Sequence, residues 1–147
     1  MRQGGGAMHQ GAGLASALRV GFDAHQLYLR IDFAAGKPPG DEFGLGFEMF
    51  APVPSKFALM GLAAGTYPLV WLAGDHAGKT VNGAQATVLS LVEIAIPFTS
   101  LGLKVGDAVE MIGHLVQGTE PLETLPDDDM LRFRVPDAEF DARMWNA

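Results

Sequence analysis

The chain is predicted to fold as an all-β antiparallel β-sandwich of the immunoglobulin or jelly-roll kind, with about nine or ten short strands and one short helical turn near residues 99–103. Three observations predict it. Apolar residues alternate with polar or small ones through Leu18–Phe22, Leu27–Phe33, Phe43–Met49 and Val92–Phe98, and a period of two belongs to half-buried strands. Turns rich in glycine and proline separate these runs at short, regular intervals. No stretch sustains a helical period over the length of an ordinary helix.

Taken in order, residues 1–6 are rich in glycine and expected to be flexible, while Ala7 to His9 can pair as a short edge strand. Leu18, Val20 and Phe22 alternate with Arg19 and Gly21. After Asp23-Ala24-His25, Leu27, Leu29, Ile31 and Phe33 alternate with Tyr28, Arg30 and Asp32, so the two runs predict a hairpin around a polar turn. Residues 36–40, GKPPG, form a loop, because neither proline can donate to a strand ladder. Phe43, Leu45, Phe47 and Met49 mark the next strand. Gly44 and Gly46 on its second face leave room for a neighbouring loop or a ligand to approach the backbone.

The proline-punctuated APVPS of residues 51–55 leads into Phe57 to Gly74, an uncharged stretch that approaches the length of about 20 residues a membrane-spanning helix needs. Gly61, Gly65, Thr66 and Pro68 interrupt it. It is read instead as two buried strands, Phe57–Leu59 and Tyr67–Trp71, around a Gly-Thr turn; a buried helix over 57–64 is the other reading, because short apolar runs do not separate helix from strand. Asp75 to Gly83 reads as a surface turn and short edge.

Ala84 to Leu89 leads into LVEIAIPFTSLGLKVGD, residues 91–107, and the parity slips near Ser90, which predicts a bulge or bend. Thr99 is placed to cap a turn across Ser100 and Leu101, which Gly102 ends. A strand over Val109 to Val116 follows, then a long acidic loop, GTEPLETLPDDD, and a last strand through Leu131, Phe133 and Val135 that Pro136 ends. Phe140, Met144 and Trp145 give the terminal segment apolar anchors with which to pack back on the sheets.

A chain of 147 residues is one domain's worth, large enough to bury a core without staples. The absence of cysteine removes disulfides, thiolate metal sites and a cysteine nucleophile. A formal charge of -7 with ten scattered Lys and Arg argues against a phosphate-tracking surface, so neither nucleic acid nor a membrane is an expected partner. The stretch after Met1-Arg2 has no apolar core of the kind a secretory signal carries. GxSxG and P-loop motifs are absent, and His9, His25, His76 and His114 stand too far apart for a ligand motif.

The segments GAMHQ, VGFDAHQLYLRIDF, VEIAIPFTSLGLKVGD, GTEPLETLP and MLRFRVPDAEFDARMW, in that order from Gly6 to Trp145, resemble the C-terminal β-sandwich of family 57 glycoside hydrolases of the α-amylase/α-mannosidase type. That sandwich is similar to the C-terminal domain of glucodextranase and, more distantly, to DOMON-like domains and family 9 carbohydrate-binding modules. The resemblance implies a non-catalytic accessory domain, because such enzymes carry their catalytic carboxylates in a separate upstream barrel. It implies two roles, binding of α-glucan or another polysaccharide or oligosaccharide, or packing against the neighbouring glycoside hydrolase catalytic domain without touching sugar.

Sugar binding needs an aromatic ring for the apolar side of a pyranose and polar groups for its hydroxyls. Tyr28, with Arg30 and Asp32 on the polar face of the hairpin, has the best pattern for an exposed ring, although an ordinary cross-strand pair explains it as well. Trp71 and Trp145 are the other candidates. Parity puts Trp71 on one face with Tyr67 and Leu69 and so favours the core, and Trp145, beside Arg143 and Asn146, reads as a lid. Asp127, Asp128 and Asp129, with Glu120 and Glu123, are oxygen donors a calcium ion could use. They lack the alternating spacing and the glycine of an EF-hand, so the run reads as a solvated turn and no cofactor is expected. Glu93 and Glu110 fall at outward positions of their strands rather than as a paired acid and base.

Overall fold

The computed structural model describes residues 8–10, 13–126 and 129–137, and within them the regular structure is strand apart from one short 3₁₀ turn. The strands are β1 (Met8–Gln10), β2 (Ala15–Phe22), β3 (Gln26–Phe33), β4 (Phe43–Ala51), β5 (Ser55–Leu59), β6 (Gly65–Tyr67), β7 (Val70–Trp71), β8 (Gln85–Val88), β9 (Val92–Pro97), β10 (Ala108–Gln117), β11 (Glu120–Leu125) and β12 (Leu131–Arg134). They form two antiparallel sheets. The first runs β1-β2-β3-β9-β8-β6; the second runs β11-β10-β4-β5-β7, with β12 also on β10. The predicted sandwich is the observed architecture, and no described helix is long and apolar enough to cross a membrane.

The apolar rows read from the sequence face each other across the interior. Leu27, Leu29, Ile31, Ile94 and Ile96 come from the first sheet, and Leu45, Phe47, Met49, Phe57, Met111 and Leu115 from the second. Burial of these rows supplies the main driving force for the fold, at roughly 1.5–3 kcal/mol for each large side chain. Phe57 lies stacked on Phe47 with ring centroids 5.4 Å apart and meets Trp71 edge-on at 5.9 Å. At the opposite end Phe133 bridges the layers, 5.5 Å from Phe22 and 6.5 Å from Phe98.

The hairpin β2–β3 forms as its turn chemistry predicts. Asp23 Oδ1 accepts from the backbone N–H groups of His25 and Gln26, both at 2.8 Å, and Phe22 pairs with Leu27. The 3₁₀ turn over Phe98–Leu101 begins one residue earlier than expected. Pro97, extended at φ -61° and ψ 133°, is the flanking residue, and Thr99 lies inside the turn and caps nothing. Phe98 is buried, so its anchoring in the core sets where the turn starts. Gly102 ends it in the left-handed region at φ 72°.

Three expectations are corrected and one is sharpened. The stretch Tyr67–Trp71 is not one strand: β6 pairs with β8 in the first sheet, whereas β7 pairs with β5 in the second. Pro68 breaks the ladder and Leu69, fully buried, passes between the layers, so Tyr67 and Trp71 belong to different sheets. The helix considered over 57–64 does not form, since β5 occupies Ser55–Leu59. The bend expected near Ser90 does form, as a full reversal, with Leu89 donating to the Leu91 carbonyl at 2.9 Å and Val88 pairing with Val92. Half of the acidic loop is a strand. Gly118, at φ 61°, turns the chain so that β11 returns along β10.

Candidate functional site

The outward residues of the first sheet fall into two adjacent cross-strand rows, fixed by register. Arg19, Arg30, Glu93 and Thr87 make one, and Gly21, Tyr28, Ala95 and Gln85 the other. Together they line an open groove of about 470 Å³ across β2, β3, β9 and β8. Its width follows from small neighbours. A Cβ added at Gly21 would meet nothing within 4 Å, so the space beside Tyr28 is open on that side.

Tyr28, 40% exposed, is held at its far end by its hydroxyl, which donates to Asp23 Oδ2 at 2.7 Å. The same aspartate closes the hairpin turn, so one carboxylate both sets the register and orients the ring. Burial acts to raise the Asp23 pKa, but the hydrogen bonds from Tyr28, His25 and Gln26, with the nearby His25 imidazole, outweigh it and hold the carboxyl below its usual value.

Beside the ring, the Arg30 guanidinium donates to Asp32 Oδ1 through Nε at 3.3 Å and Nη2 at 3.2 Å, and Arg19 Nε lies 4.0 Å from Asp32 Oδ2. Both arginine side chains are about half exposed, at 50% and 43%, and both line the groove. Glu93 supplies an acceptor, while Gln85 and Thr87 supply both kinds of group. The groove thus combines one oriented ring with donors and acceptors, among them two arginines and one glutamate.

Tyr28 and Arg30 line the groove, whereas Asp32, on the same face of β3, holds Arg30 and is not among the lining residues. Arg19, Gln85, Thr87 and Glu93 join them through pairing between strands, which no single run of sequence displays. Trp71 is elsewhere, half-buried against Phe57 in the second sheet. Trp145, Asp127 and Asp128 lie outside the described residues. Asp129 is exposed; its Oδ1 accepts from the Met130 N–H at 2.8 Å and from Arg132 at 3.2 Å. Among the described residues no three His, Cys, Asp or Glu side chains are grouped to hold a metal ion. Glu93 and Glu110 sit on the outer faces of opposite sheets, Glu110 paired to Arg132 at 3.2 Å, so the two cannot flank one scissile bond.

The class that fold and site define is an antiparallel β-sandwich with a polar, ring-bearing groove on one outer face. Comparison with protein families, with curated proteins and with solved structures finds no match to this chain.

Proposed function

We propose that the chain is a non-catalytic, carbohydrate-associated accessory domain of a glycoside hydrolase and that the groove on the first sheet is where it takes hold of a glycan. The observation that carries this reading is the anchored Tyr28, with open space at Gly21 and with Arg19, Arg30, Gln85 and Glu93 around it. A pyranose offers one apolar C–H face and a rim of hydroxyls. The ring supplies the platform for the first, and the groove supplies donors and acceptors for the second. A volume of about 470 Å³ falls within the range of small-molecule sites. The resemblance to accessory sandwiches of α-glucan-active enzymes makes α-glucans the first ligands to test.

Titration of the folded chain with maltoheptaose, followed by amide chemical shifts, tests the reading. Shifts are expected at Gly21, Tyr28, Gln85 and Ala95, with a dissociation constant on the order of millimolar, as suits one stacking ring in an open groove. If millimolar maltoheptaose, and a panel of other oligosaccharides, leave those amides unmoved, the sugar-binding reading fails and the purely buttressing role takes its place.

A further inference from the structure

The groove on the first sheet is longer than it is wide. Its outward lining residues come from four neighbouring strands but from only two positions on each: Gly21 and Arg19 on β2, Tyr28 and Arg30 on β3, Ala95 and Glu93 on β9, Gln85 and Thr87 on β8. Strand spacing makes the span from β2 to β8 about 14 Å, against about 7 Å between the two rows, so the long axis runs across the strands. Tyr28 occupies one of four positions along it.

The two rows differ at their ends. The arginine row is continued on both sides by paired strands, since Arg19 stands opposite Met8 of β1 and Thr87 opposite Thr66 of β6. The Tyr28 row is not. Pairing of β1 with β2 covers Ala17 to Arg19, and pairing of β6 with β8 covers Ala86 to Val88, so among the described residues no strand lies beyond Gly21 or beyond Gln85. At the Gln85 end the cause is Pro68, where the chain leaves β6 and the fully buried Leu69 carries it between the layers. Within the row nothing tall stands on either side of the ring. A Cβ at Gly21 would meet nothing within 4 Å, and Ala95 offers only a methyl group.

We propose, resting on the sugar-binding reading above, that the groove takes an internal stretch of a glycan chain, laid across the strands along the Tyr28 row and running out past both edges. A site for a chain terminus needs a wall where the last sugar stops and where its extra hydroxyl is bonded. Neither end of this row supplies one among the described residues. One sugar stacks on Tyr28; its neighbour on one side passes over Ala95 towards the Gln85 amide, and its neighbour on the other passes over Gly21. The row of Arg19, Arg30, Glu93 and Thr87 runs alongside this path, so donors and acceptors meet the hydroxyls of successive sugars and not those of one ring alone.

Titration of the whole chain with glucose, maltose, maltotriose, maltotetraose and maltoheptaose, followed by amide chemical shifts, tests the proposal. Affinity is expected to rise by at least about tenfold from glucose to maltotetraose, with Tyr28 responding to the shortest sugars and Gly21 and Gln85 joining as length grows. Maltoheptaose reduced to its alditol at one end, or blocked as the ethylidene derivative at the other, is expected to bind within about twofold of the parent sugar. Ala95→Leu sets a branched side chain across the path and is expected to abolish the gain with length; Gly21→Leu does the same from the other side should the first variant fail to fold. Glucose bound as tightly as maltoheptaose, a loss of more than about tenfold on modifying either end, or a gain with length that survives both leucine variants overturns the proposal and leaves the sugar-binding reading standing. Silence at Tyr28 through the whole series and the wider oligosaccharide panel removes that reading, and this one with it.

Discussion

Replacing Tyr28 separates a binding platform from an ordinary cross-strand residue. The ring is 40% exposed and lies outside the core, so Tyr28→Ala creates no cavity. It removes the hydrogen bond to Asp23, whose net worth is about 0.5–1.5 kcal/mol, and some contact with the flanking rows. The expected loss of stability is about 1–2 kcal/mol, a small part of the roughly 5–15 kcal/mol typical of a domain. Binding is expected to suffer more severely: loss of the stacking ring removes about 1–2 kcal/mol from a weak interaction, or about tenfold in affinity. Tyr28→Phe keeps the ring and loses only its anchor, so its affinity is expected to fall between those of the wild type and the alanine variant. Urea melts and maltoheptaose titrations on the three proteins read both effects. If Tyr28→Ala costs more than about 3 kcal/mol and leaves affinity unchanged, the ring is structural and the platform argument is wrong.

Other outcomes follow from single contacts. The Asp23 carboxyl titrates below its usual value in the folded chain, so its stabilisation is complete above the unfolded pKa and is lost as the pH falls through the folded one; Asp23→Asn is expected to flatten that acid limb of a thermal-melt series. Phe57→Ala removes a fully buried ring packed on Phe47 and Trp71, and is expected to cost about 3–5 kcal/mol in a denaturant melt, whereas the half-buried Trp71 is expected to cost less on the same change. Glu123, on β11 of the second sheet, accepts from the N–H groups of Leu14 and Ala15 at the start of β2 in the first, so Glu123→Ala is expected to cost about 1–3 kcal/mol and to speed amide exchange at those residues first.

The hairpin β2–β3 was legible because two independent signals agree: parity names the buried face, and Asp23 names the turn. Where the signals conflicted or vanished, the sequence misled. Tyr67, Leu69 and Trp71 keep a perfect alternation across a change of sheet, and nothing local distinguishes a strand that continues from a chain that crosses through the core at Leu69. β11 reads as an acidic loop because its side chains are mostly exposed, and its main-chain pairing to β10 leaves no apolar row to recognise. The same limit governs the site. Tyr28, Arg30 and Asp32 share one strand and are visible as a polar row, but Arg19, Thr87 and Glu93 reach that row only through register, a long-range property.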